Sequence, residues 1–150
     1  MFLAIIVTCA CVVGCIVVHL YVLRVLWRLA RPRLHSMTGI RIAALVVGCV
    51  VGHVLEIAIF TYGMFAIASS DGETKLVMEG LQHEHLDLWY YSAAFYTSLG
   101  DQRPPTAGMR LFAACEALTG LILITWTASF LFLIMQRSWT LETDSVSPHT

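Results

Sequence analysis

The chain has 150 residues, 58% of them hydrophobic and only 13% charged, with a formal net charge of −1 at pH 7. A chain this apolar departs from ordinary globular composition, which excludes a soluble or secreted domain, and its length allows one domain. It lacks the basic surface that nucleic acid requires, and no Ser-His-Asp set or phosphate-binding glycine motif points to an enzyme.

The first apolar stretch, residues 2–23, exceeds the roughly 20 residues that a helix needs to cross hydrocarbon. No basic residue precedes it, and its apolar run continues beyond a signal-peptide core into an arginine-rich stop, so residues 1–30 read as a retained transmembrane helix. Val12-Val13-Gly14-Cys15 has the look of a lipoprotein cleavage box but lacks charged residues before it. The connection 31–41 contains Arg31-Pro32-Arg33 and Gly39, which break helix and predict an antiparallel hairpin of the first two spans. Arg24, Arg28, Arg31, Arg33 and Arg41 lie in or beside it. Such clustering marks a cytoplasmic loop and suits anionic lipid headgroups.

Residues 42–70 form the second span and 71–85 a polar outer loop. The next apolar stretch, 86–99, has about 14 residues, which suits a re-entrant or interfacial helix better than a crossing. Residues 111–135 form the third span, and the polar tail 137–150 is too short to fold alone. The expected topology puts the amino terminus outside and the carboxyl terminus in the cytoplasm. Cys9, Cys11, Cys15, Cys49 and Cys115 all fall inside apolar spans, where cysteine acts as a small packing residue, and their spacing suggests neither a disulfide framework nor a zinc site.

Residues 89–105 read WYYSAAFYTSLGDQRPP, which predicts a short helix stopping in a polar strand with glycine and proline. Irregular backbone is tolerated at membrane depth only where protein buries it or water lines it. The run Thr97-Ser98-Leu99-Gly100-Asp101, followed by Pro104, Gly108, Arg110 and a full span, resembles the pore domain of tetrameric potassium-type channels. Within that family the likeness is to small bacterial proteins related to two-transmembrane channels, and it covers residues 86–137. It implies an all-α membrane protein with three transmembrane helices, a re-entrant pore helix and a filter loop. It further implies a homotetramer in the lipid bilayer of the plasma or inner membrane that conducts potassium or another monovalent cation. Thr97, Ser98, Leu99, Gly100 and Asp101 would form the filter. The family places a Tyr/Phe-Gly pair between the first glycine and the aspartate; here Asp101 follows Gly100 directly, so the filter is shortened.

Physical chemistry runs beside that likeness. Carbonyl and hydroxyl oxygens of residues 97–100 can replace an ion's hydration shell, glycine can adopt the backbone angles required, and the carboxyl end of the preceding helix favours a cation. Asp71, Glu73, Glu79, Glu84, Asp87 and Asp101, against Lys75 and Arg103, make the outer face attractive to cations. His83 and His85 beside Glu84 read as surface histidines.

Within the spans, His53 and Glu56 are three residues apart and share a helix face, which predicts a hydrogen-bonded pair with a possible proton-sensing role. Glu116, nearer the outer end, is expected to brace the filter through hydroxyls such as Ser92, Tyr96, Thr97 or Ser98. Depth along the helices sets His19 apart as a separate polar contact, so no metal site built from His19, His53, Glu56 and Glu116 is expected, and no cofactor. Gly120 is the hinge candidate of the inner span. Thr125, Thr127 and Ser129 mark close packing or a water-lined face, and Phe130, Phe132 and Met135 an inner constriction. No span holds a ladder of arginines, so no voltage sensor is expected. The rivals are a non-conducting scaffold or accessory subunit and a metal or proton transporter using His53 and Glu56.

Overall fold

A computed structural model describes residues 1–32, 38–70, 84–100 and 104–146. Four helices lie among them: α1 (Phe2–Ala30), α2 (Gly39–Ser70), α3 (Glu84–Tyr96) and α4 (Ala107–Val146). Three of these, α1, α2 and α4 as far as Trp139, are long and apolar enough to cross a membrane. They contain no proline, and their hydroxyls turn inward on the helix: Thr8, Thr61, Thr119 and Ser129 each donate to the carbonyl four residues back. A polar side chain satisfied by its own helix costs little in an apolar solvent.

One boundary differs from expectation. The short helix stops at Tyr96, just before the residues read as a loop, but α4 runs on through residue 146, although residues 137–150 read as a tail too short to fold alone. Loss of hydrophobicity after Met135 is not loss of helix, because no proline or glycine interrupts the chain before Pro148.

Contacts fix how the helices run. The Cys11 thiol donates to the Ile59 carbonyl and the Cys15 thiol to that of Glu56, while Leu26 lies against Gly48, so α1 and α2 are antiparallel. Ala4 beside Gly108, His19 beside Trp126 and the Arg137 guanidinium over the Trp27 ring make α1 and α4 parallel. The three long helices therefore alternate in direction.

Helix α3 fills the space between α2 and α4. Ser92 reaches the Ile57 carbonyl and Tyr96 reaches His53, so α3 is antiparallel to α2. Against α4, Ser92 meets Glu116 and Tyr96 meets Gly120, so these two successive helices are parallel. A Cβ on Gly120 would stand 2.0 Å from the Tyr96 carbonyl oxygen, so only glycine admits this approach. Gly120 lies about 20 Å along α4 from Ala107 at ~1.5 Å per residue. The chain thus leaves α3 far from the point where α4 begins.

The main core gathers Phe60, Met64, Tyr96, Phe112 and Leu123 between α2, α3 and α4, with Cys11 and Cys15 from α1. A second cluster, Leu23, Leu26, Leu45, Cys49 and Ile134, sits nearer the arginine-bearing end. The outward faces are also apolar: Val13, Val17, Tyr21, Val47, Leu118, Leu121 and Phe132 are all exposed. Helices apolar all round belong in a larger core or in lipid.

Candidate functional site

Five polar side chains from all four helices meet inside the bundle. On α2, residues 53 and 56 lie one turn apart, and His53 Nδ1 stands 3.0 Å from Glu56 Oε2. His19 of α1 places its Nδ1 2.8 Å from the other carboxylate oxygen, Oε1. The Tyr96 hydroxyl of α3 donates to Glu56 Oε2 and lies 2.9 Å from His53 Nδ1. Thr127 of α4 completes the set, its Oγ1 3.1 Å from His53 Nε2. Glu56 is wholly buried and His19 is 3% exposed, whereas His53 is 17% exposed and connects the cluster to the surface.

The donors and acceptors define an order. A carboxylate only accepts, so both imidazoles present Nδ1–H to Glu56; His53 Nε2 then pairs with the Thr127 hydroxyl, which can donate to it or accept from it. His19 Nε2 has no hydrogen-bond partner among the described residues. Each member is satisfied except that one nitrogen.

His19 is therefore not the separate contact that depth along the chain suggested. Antiparallel pairing sets residue 15 opposite 56 and residue 22 against 52, which carries residue 19 to the level of the His53–Glu56 turn. The readable signal was that two apolar helices, α1 and α2, each carry polar residues within the span, but the register that aligns them is a tertiary property.

Glu116 stands apart from this cluster. Its Oε1 is 2.5 Å from Ser92 Oγ, its Oε2 has no partner among the described residues, and its side chain is wholly buried. Ser92 Oγ is also 3.2 Å from the Ile57 carbonyl. One hydroxyl proton faces two acceptors here. Of the four hydroxyls expected near Glu116, Ser92 meets it, while Tyr96 goes to Glu56 and Thr97 donates to the Ala93 carbonyl at 2.7 Å.

Residues 97–100 close the end of α3. The Ser98 N–H donates to the Phe95 carbonyl, and those of Leu99 and Gly100 donate to that of Ala94. Ser98 (φ 59°) and Gly100 (φ 58°) both take left-handed backbone, the usual way a helix ends, though serine gains less from it than glycine. All four residues are exposed, Leu99 by 71%. Asp101 lies outside the described residues, as do Asp71, Glu73, Lys75, Glu79, His83, Arg103 and the side chains of Glu84 and His85.

Helix α4 passes unbroken through Gly120, and the contact with Tyr96 supplies a packing reason for the glycine. Phe130 packs on the second core cluster while Phe132 faces outward, so the two do not share a face.

No protein-family model, curated protein or solved structure matches the chain.

Proposed function

We propose that the chain is one subunit of an oligomeric, potassium-channel-like pore that passes monovalent cations across a membrane. The observation that carries this reading is the course of α3. It runs parallel to the helix that follows it and ends beside Gly120, about 20 Å along α4 from Ala107 by helical rise. We read a short helix that stops partway along a bundle of spans, followed by a helix that begins at the end it came from, as a re-entrant segment. Its polar end is tolerable at that depth only against protein or water.

Thr97, Ser98, Leu99 and Gly100 are uncovered on the single chain. Copies related by cyclic symmetry would cover them and ring a water-filled axis with their hydroxyl and carbonyl oxygens. Four copies, as the resemblance implies, make that ring. The carboxyl end of α3 points toward it and favours a cation. Asp101 follows at once, so the ring is short. Fewer dehydrated binding positions predict weak discrimination between potassium and sodium. Arg24, Arg28, Arg31, Arg41 and Arg137 gather at one end of the bundle, which we assign to the cytoplasm. The amino terminus then lies outside.

Flux into liposomes holding the purified protein, under potassium or sodium gradients, tests this. Two substitutions serve as controls. Gly100→Pro demands φ near −65° where the chain has +58°, and Thr97→Val removes a hydroxyl while keeping the shape. Cation flux that both substitutions reduce at least tenfold is the expected result. A folded, oligomeric sample without flux across pH and voltage rejects conduction and leaves the accessory-subunit reading.

A further inference from the structure

The cluster around Glu56 has the composition and closeness of a metal site. His19, His53 and Glu56 each offer one ligand atom, and these atoms all lie within 4.8 Å of one another. We propose that His19, His53 and Glu56, completed by the phenol oxygen of Tyr96, bind one divalent transition-metal ion such as Zn2+ inside each subunit. This site lies among α1, α2 and α3 in the interior, with Tyr96 directly before the exposed residues 97–100, and its occupancy does not depend on conduction.

Four features of the cluster support it. First, two imidazole nitrogens with a carboxylate oxygen are a donor set for borderline cations, zinc above all, whereas all-oxygen sets suit magnesium and calcium. Second, the ligand atoms are already gathered, all within 4.8 Å of one another. Ligands about 2.0–2.1 Å from a tetrahedral ion stand roughly 3.3 Å from one another. The nitrogen-to-oxygen separations, 2.8 Å from His19 to Oε1 and 3.0 Å from His53 to Oε2, are those of hydrogen bonds to the two oxygens of one carboxylate, so an ion would draw the two imidazoles toward it from either side of Glu56.

Third, the second shell is present. When Nδ1 of His53 binds metal, its remaining proton moves to Nε2, where Thr127 Oγ1 at 3.1 Å accepts it. That outer partner fixes ring orientation and tautomer, as is usual for metal-ligating histidine. Fourth, the charge is matched. A carboxylate buried in an apolar interior needs a compensating positive charge close by. A divalent ion bound by the Glu56 carboxylate and the Tyr96 oxygen, with the phenol proton released to water, leaves no net charge. His53, at 17% exposed, supplies the way in.

The rigidity of the frame also favours binding. Positions 53 and 56 are one helical turn apart on a continuous helix, and the Cys15 thiol holds α1 to the Glu56 carbonyl at 3.6 Å, so the third ligand is positioned before an ion arrives.

The test uses the full-length protein in detergent, stripped with a chelator, equilibrated with Zn2+ and freed of unbound ion by gel filtration. Elemental analysis is expected to find one zinc per chain. Glu56→Gln is a tolerable variant because His19 can shift its proton to the unpartnered Nε2 and accept from the new amide. It is expected to weaken retention at least a hundredfold, as is His19→Gln, whereas Glu116→Gln retains the ion. Thr127→Val, which touches no ion, is expected to weaken affinity ten- to a hundredfold. Zinc-edge X-ray absorption of the wild-type protein needs no variant and should find imidazole in a first shell at about 2.0–2.1 Å. A folded wild-type protein that retains no zinc, retention undiminished in Glu56→Gln, or a first shell without imidazole overturns the site and leaves a hydrogen-bonded cluster holding protons only.

Discussion

Glu56 and Glu116 are both wholly buried in apolar helices, yet their surroundings have little in common. Glu56 receives hydrogens from three side chains on three helices, His19, His53 and Tyr96. Among the described residues Glu116 has Ser92 alone, and its second oxygen is unpartnered. Burial alone therefore says little about an acid's contribution. Glu56 is the acceptor at the centre of a network that ties the bundle together, whereas Glu116 is a side chain accommodated at one contact.

Replacing each glutamate with leucine, which is apolar and of similar volume, separates these roles most sharply. Glu56→Leu leaves the His19 Nδ1–H without its acceptor and the His53 Nδ1 and Tyr96 hydroxyl with only each other, 2.9 Å apart. Breaking a buried charged network from one side costs about 3–5 kcal/mol. We expect loss of the folded, monodisperse species on mild heating in detergent, read by helical circular dichroism and gel filtration. A melting temperature within a degree or two of wild type would mean that the network contributes little, and the contrast with Glu116 would collapse.

Gly120 governs both sites, because α3 holds Tyr96 to one glutamate and Ser92 to the other while lying directly on that glycine. The would-be Cβ meets a backbone carbonyl oxygen at 2.0 Å, which cannot rotate away as a side chain would. Gly120→Ala should push α3 off α4 at a cost of about 1–3 kcal/mol, the usual range for overpacking. Since the shift would displace residues 97–100 too, liposome flux should fall along with thermal stability. Gly108 offers the control: its would-be Cβ meets only the Ala4 side chain at 3.1 Å, and Gly108→Ala should cost less.

Much of this architecture was readable along the chain. Three apolar stretches gave the spans, because length and hydrophobicity are local quantities. The pairing of His53 with Glu56 was equally local, a matter of one helical turn. His19 was misplaced because its partner lies on another helix, and only the antiparallel register of α1 and α2 brings residue 19 level with residue 56. The same limit hid the role of Thr127, which in sequence is one of several hydroxyls in α4. Thr125 and Ser129, two residues to either side, turn back to their own helix instead. The extension of α4 to residue 146 was missed for a different reason: hydropathy ends with the bilayer, whereas helix ends only with a breaker.

Glu116→Leu is the smallest effect and the most informative one for the comparison. Ser92 keeps an acceptor without it, the Ile57 carbonyl at 3.2 Å, so removing the carboxyl leaves no buried donor unpaired. It also removes an oxygen that had no partner among the described residues. Substituting an apolar side chain of similar volume for a poorly partnered buried acid is typically neutral or slightly stabilising. The melting temperature should therefore change by an amount equivalent to less than about 1 kcal/mol in either direction. If stability holds but cation flux falls, Glu116 acts on the end of α3 through Ser92, as filter bracing requires. If both are unchanged, the acid has no part in conduction. If stability drops as far as in Glu56→Leu, Glu116 has a partner as strong as any around Glu56, and the two sites are alike after all.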